Sequence, residues 1–369
     1  MITKEKDRQY VMEHIKMFPP YVLEFVDHFR AKDRSESTLR GYLIDFEFFF
    51  TWMLEKKVTS ANTIKDVSLT DLNNIRVKQI AEGFVNYISK DTYNPQTKKH
   101  GTKRNTVNRK LSSVSSLFNY LANIAEDPET MEPYLIRNVM ARIEQKPDKD
   151  NDKEKAKRIR SRILIGDKEI ADYRSFIAEG YGHSGISSIS YKRYLQNRER
   201  DLAINSLILS SGLRIEEVEG LDIDGISLKE RTMKVIRKGG KERVMNFSQI
   251  AGDDLEEYMD IRESRYNVQP DVTALFVTKQ QTKHGVQMSK RAMQLMIGKY
   301  GKAFGKPELS AHCLRHTFAT RFHAKVNDLV KLKEAMDHEN LQTTMIYTHV
   351  LNDEIKFAIE EVDNYEPIF

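Results

Sequence analysis

Cysteine is nearly absent. Cys313 is the only one among 369 residues, which excludes a disulfide framework or a Cys-rich zinc module and fits a reducing compartment. Apolar runs approaching the length of about 20 residues needed to span a bilayer are missing too. The opening MITKEKDRQYVMEHIK carries a charge every two or three residues and lacks the apolar stretch of a secretory leader. The expectation is a soluble, cytoplasmic chain with no membrane association. There is no internal repeat, no low-complexity tract and little excess of either charge, with 59 Lys+Arg against 54 Asp+Glu. What is present is ordinary globular material: hydrophobic residues are 40% and charged residues 31%, enough to build cores. At about 150 residues per domain, the length suggests two domains.

The small net charge of +5 hides an asymmetry. Residues 1–164 hold 30 Lys+Arg and 23 Asp+Glu, whereas residues 165–369 hold 29 and 31. No acidic residue occurs from Thr92 to Ala125, while Lys98, Lys99, Lys103, Arg104, Arg109 and Lys110 crowd one short stretch. A second basic run, Lys155, Lys157, Arg158, Arg160 and Arg162, follows a Lys/Asp-alternating segment. Such clusters suit a polyanion, because each neutralised phosphate releases condensed counterions. A solvated surface is the alternative use of the same residues.

Periodicity makes the first half helical. Ser37-Thr38 precedes a segment in which Leu39, Tyr42, Leu43, Phe46, Phe49, Phe50 and Met53 recur every three or four residues. Those aromatics read as core rather than as a base-stacking platform. Further helices are expected over 80–90 and 106–125, giving a bundle of four or five. Residues 145–162 combine one proline, no aromatic and many charges, and read as an interdomain linker turning helical towards its end. Beyond it, LAINSLILSS is an apolar helix stopped by Gly212. The segments 232–237 and 242–247 alternate as two strands around Lys238-Gly239-Gly240-Lys241, and ALFVT is a short strand. The fold class is mainly α with a small antiparallel sheet.

Four polar patterns stand out in the second half: Gly212-Leu213-Arg214 with Glu217 three residues on, the hairpin turn carrying Lys238, His312-Cys313-Leu314-Arg315-His316-Thr317, and His338 nine residues before Tyr347. Each has a structural alternative. Arg214 can simply pair with Glu217, Lys238 can be a turn lysine, and Tyr347, one of 16 tyrosines, can pack on a core. His312 and His316 superficially suggest zinc, yet no glutamate lies between them and Arg315 would repel a dication.

In order, G-L-R-x-x-E, strand–K-G-G-K–strand, H-x-L-R-H-T and H-x8-Y-T-H resemble the catalytic domain of the tyrosine recombinases, the phage-integrase family, across residues 165–369. The helical half resembles their core-binding (SAM-like) domain. The expected division is 1–144, a linker over 145–164, and 165–369 as the catalytic domain. PPYVLEFVDHF, PYLIRNVM and NRERDLAINSLILSSGLR are similar to single-component Xer recombinases of XerS type.

The resemblance implies a site-specific recombinase that cuts DNA through a 3′-phosphotyrosine. Tyr347 maps onto the nucleophile, and Arg214 and Arg315 onto the phosphate clamp. His338 maps onto a third phosphate donor, His312 onto proton transfer or phosphate contact, and Lys238 onto the general acid for the leaving 5′ oxygen. It implies double-stranded DNA as partner, a homotetramer on two paired sites, and a septal translocase of FtsK type as a possible director. No cofactor, metal or ATP is expected; no phosphate-binding G-x-x-x-x-G-K-[ST] loop is present. The tail IKFAIEEVDNYEPIF is expected to dock on a neighbouring protomer or to cap its own domain. Nine residues of unbroken helix span about 13.5 Å, so the chain must turn between His338 and Tyr347, with Glu339-Asn340 the natural place. Asp337 stands where the family often has Gly. The remaining alternatives are mobile-element integration, a type IB topoisomerase, and a DNA-binding regulator without catalysis.

Overall fold

The computed structural model describes residues 2–91, 93–94, 99–100, 102–144, 152–236, 240, 242–279, 282–336, 344–345 and 347. The chain forms two compact units, Met1–Lys149 and Asp150–Phe369. Among the described residues no helix is long and apolar enough to cross a membrane.

The first unit is a helical bundle. It contains α1 (Ile2–His14), α2 (Pro20–Ala31), α3 (Glu36–Glu55), α4 (Leu69–Asn74) and α5 (Arg104–Asn123), with a two-stranded ladder of β1 (Tyr93–Asn94) and β2 (Lys99–His100) before α5. Helix α3 begins about one turn earlier than the Ser37-Thr38 signal suggests. Ser35 is the cap, its Oγ accepting the Thr38 amide at 3.3 Å. The segment expected to be a helix over 80–90 instead winds as two π-helical stretches, Gln79–Phe84 and Tyr87–Asp91, a geometry hydrophobic spacing does not distinguish from α. The aromatics are core, as their spacing indicated. Phe25 meets Tyr42, Phe46 and Tyr120 edge-on at 5.2–5.6 Å, and Phe46, Phe49 and Phe50 are fully buried.

The second unit starts with α6 (Asp152–Arg160), whose Ala156 is buried in that unit's core. Helix α7 (Gly166–Ala178) leads to the long central α8 (Ser188–Ser211), buried along Leu202–Leu209. The short α9 (Ile215–Glu219) is followed by the antiparallel sheet β3 (Ile226–Ser227), β4 (Thr232–Ile236) and β5 (Glu242–Asn246), in that order. The register Thr232↔Asn246 through Ile236↔Glu242 makes β4 and β5 the expected hairpin. Of its turn only Gly240, at φ +75°, is described. Helix α10 (Gln249–Tyr266) packs on α8, and β6 (Val277–Thr278) with β7 (Val286–Gln287) forms a second ladder, placing a strand where ALFVT suggested one. Helices α11 (Lys290–Ala303), α12 (Ala311–Val326) and α13 (Leu329–Met336) follow. A charge pair lies inside it: Arg200 donates to Asp201 Oδ1 and to the Val277 carbonyl, while Tyr300 donates to Asp201 Oδ2. Both charges of this pair are thereby partnered, as burial demands.

Candidate active site

Helix α8 ends where the site begins. Gly212 takes the left-handed conformation at φ +68° and its amide returns to the Ile208 carbonyl, stopping the helix. Two residues later Arg214 caps α9. Glu217, buried one turn on, accepts the Arg214 amide at 2.7 Å and its guanidinium at 3.0 Å. The Arg214–Glu217 pairing that the sequence offered as a purely structural use is therefore present, and it leaves the guanidinium partly exposed.

The second arginine comes from α12, which starts at Ser310, whose Oγ accepts the Cys313 amide. On this helix His312, Arg315 and His316 share one face, being three and four residues apart. Arg315 is buried and donates to the Gly212 carbonyl at 2.5 Å and to the Met336 carbonyl. These two bonds tie together the end of α8, α12 and the end of α13. The His312 and His316 rings meet edge-on at 4.2 Å. Burial first, then Arg315 and Arg214, push His312 below the ordinary imidazole range, so its ring is neutral near pH 7.

Tyr347 closes the group. Its hydroxyl lies 2.7 Å from His316 Nδ1, and its ring packs with Ala319, Leu332 and Met336, leaving 1% exposed. Burial raises its pKa well above the usual phenol value, with Arg315 opposing. Arg214, the His312–Arg315 pair of α12 and Tyr347 thus gather from three separate stretches of sequence into one place. Lys238 and His338, together with Asp337, Glu339 and Asn340, lie outside the described residues, as does the tail 355–369. The sequence reading left His316 without a role beyond its spacing from His312; its contact with Tyr347 depends on how a distant segment folds back.

The residues proposed to face DNA fare unequally. Lys98 lies outside the described residues, and of Lys99 only the backbone, in β2, is described. Lys103 is the exposed cap of α5 and Arg104 its first residue. Arg109 is half-exposed and paired with the fully buried Asp45. Lys110 is only 12% exposed; it reaches Asp45 at 3.4 Å and lies 3.8 Å over the Phe48 ring. In the second unit Lys157 and Arg158 are exposed on α6, Arg160 is partly buried, and Arg162 pairs with Glu308 at 2.6 Å.

A family model described as the phage integrase family matches residues 176–354. The chain is 33% identical over 360 residues to the tyrosine recombinase XerS of Lactococcus lactis subsp. cremoris strain SK11, covering 96% of this chain and 99% of the relative. It is 35% identical over 361 residues to the protein of the same name from Streptococcus gordonii, with the same coverage. The fold is shared with the XerH site-specific recombinase in its post-cleavage complex with palindromic difH substrate, at a TM-score of 0.59 and 19% identity over 89% of this chain and 81% of that one. It is shared also with a lambda integrase dimer bound to a core site, at a TM-score of 0.52 and 12% identity over 89% and 94% of the two chains.

Proposed function

We propose, because the chain belongs to the phage integrase family of tyrosine recombinases, that the cluster around Tyr347 is its catalytic centre and that it recombines DNA at a dif-like chromosomal site. The family cleaves and rejoins DNA through a covalent tyrosine intermediate, so the energy of the cut phosphodiester is kept for rejoining. The observation that carries the assignment is one contact: the Tyr347 hydroxyl sits 2.7 Å from a histidine on the same helix as His312 and Arg315.

Reaching a phenolate at neutral pH costs about 4 kcal/mol for an ordinary tyrosine, and burial adds to that here. Arg315 and Arg214 offset it by stabilising the charge that builds on the phosphate oxygens; a rigid, permanently charged fork suits two oxygens better than an ammonium does. Lys238 supplies the proton for the leaving 5′ oxygen, His312 and His338 donate hydrogen bonds to the phosphate, and Glu217 holds Arg214 in place. Because Tyr347 is buried, the groups around it shift when the duplex binds. The basic clusters at the start of α5 and on α6 contact the DNA backbone. Four protomers act on two paired sites, and a septal translocase of FtsK type sets their order of action; both follow from likeness to the Xer group.

The test is a suicide duplex nicked beside the scissile phosphate, carrying the dif-like sequence of the chromosome that encodes this chain, incubated in EDTA and run on a denaturing protein gel. A slow-migrating adduct on this duplex is expected. An adduct only on mobile-element ends would move the role to integration, and none on any DNA would leave a binding protein.

A further inference from the structure

We propose that His316 is the base that takes the proton of Tyr347 as the phosphate is attacked and returns it on rejoining. This rests on the reading of Tyr347 as the nucleophile. The resemblance maps His312 onto proton transfer or phosphate contact, yet the nitrogen against the Tyr347 oxygen belongs to the second histidine, four residues later: His316 Nδ1 lies 2.7 Å from Oη. That is the separation a general base needs to abstract a proton directly.

The phenol is neutral where it sits, since burial strongly disfavours its ionised form, so there is a proton to move. A neutral imidazole with its hydrogen on Nε2 presents an acceptor lone pair at Nδ1. The ring is held for this work. Its edge-on contact with His312 is 4.2 Å between centroids, and its contact with the Tyr347 ring is 5.6 Å. His316 follows Arg315 directly in α12, so the base and the phosphate-clamping cation ride one helix and keep their spacing when the site rearranges.

In the step itself, a lone pair on Tyr347 Oη forms the bond to phosphorus and the bond from phosphorus to O5′ breaks. The phenolic proton passes to His316 Nδ1, while the leaving 5′ oxygen takes its proton from a separate acid, Lys238. On rejoining, the 5′ hydroxyl attacks phosphorus, the Tyr347 oxygen leaves, and the imidazolium gives its proton back. His312 is then left to the phosphate.

The test compares single-turnover cleavage of the nicked dif-like duplex by the full chain and by His316→Ala and His316→Gln. Glutamine keeps a hydrogen-bond acceptor but cannot take up a proton, and it still decides the matter if the alanine variant folds poorly. Both variants are expected to bind the duplex like wild type and to cleave about 10²- to 10⁴-fold more slowly. Added imidazole restores rate to His316→Ala and not to His316→Gln. A 5′-bridging phosphorothiolate, whose leaving group needs no acid, rescues Lys238→Ala but neither His316 variant. Near-wild-type cleavage by His316→Gln, or no response of His316→Ala to imidazole, overturns the proposal. If wild type forms no adduct, or Tyr347→Phe still forms one, the reading of the nucleophile has failed and takes this proposal with it.

Discussion

The Arg315 guanidinium donates to the carbonyl oxygen of Gly212 at 2.5 Å, across 103 residues of sequence. That carbonyl stands two residues before Arg214, so the two arginines are set relative to one another by a single left-handed glycine.

Gly212→Ala should therefore disable the site as well as weaken the fold. The position has φ +68°, and an added Cβ would come closer than 3.0 Å to two ring carbons of Phe318 and within 3.1 Å of Met336 Sδ. Left-handed strain of about 1–2 kcal/mol and overpacking of about 1–3 kcal/mol predict a loss of about 2–5 kcal/mol in denaturant unfolding. Covalent adduct formation should fall in parallel. An alanine variant with wild-type stability would contradict this geometry.

Glu217→Gln keeps the shape of the cap but removes the charge that holds Arg214. Charge-assisted hydrogen bonds contribute about 1.5–3 kcal/mol, so adduct formation should slow by about 10- to 100-fold while duplex binding in a gel-shift assay stays near wild type. A loss of binding with normal cleavage of bound duplex would point away from a positioning role.

Asp45, buried in the first unit, holds Arg109, Lys110 and the Ser113 hydroxyl. Asp45→Ala leaves the mostly buried Lys110 ammonium without its partner and should cost about 3–5 kcal/mol. Lys110 is thereby committed inside the bundle, unlike Lys103. Lys103→Ala should lower the slope of log affinity against log salt by about one. Lys110→Met should leave that slope unchanged and lower the melting temperature instead.

Acid should weaken the second unit from near-neutral pH downward. His312 and His323 are both held below the ordinary imidazole value, chiefly by burial. As pH falls below about 6.5, the unfolded chain takes up protons that the folded chain does not. Stability therefore rises with pH through that window and is lost on acidification. A lower melting temperature at about pH 5.5 than at about pH 7.5 is expected, with a smaller difference in His323→Gln. Asp167, held low by Lys325 and Arg321, loses its contribution only at more acidic pH.

Much of this arrangement is legible in the residues. The period of Leu39 to Met53 reports a buried helix face, Gly212 reports a helix end, and the alternation on either side of the Lys238 turn reports a hairpin, because each signal is local. What is not legible comes from chain folding back on itself. Nothing near Lys110 in sequence announces a buried carboxylate at position 45; that pairing is 65 residues long. The π-helical winding of Gln79–Phe84 buries Ile80 and Phe84, four residues apart, the spacing an α-helix also gives. His316 is visible as a motif letter, but its contact with Tyr347, 31 residues away, appears only when α12 and the tyrosine segment come together.

The most direct test of the account identifies the tyrosine joined to DNA. The adduct on the nicked dif-like duplex is digested with protease and nuclease, and the nucleotidyl peptide is sequenced by mass spectrometry, with Tyr347→Phe run alongside. The account predicts a peptide spanning Thr344–Thr348 modified on Tyr347 and no adduct in the variant. A modified peptide containing any other tyrosine, or an adduct of undiminished yield from Tyr347→Phe, would contradict it.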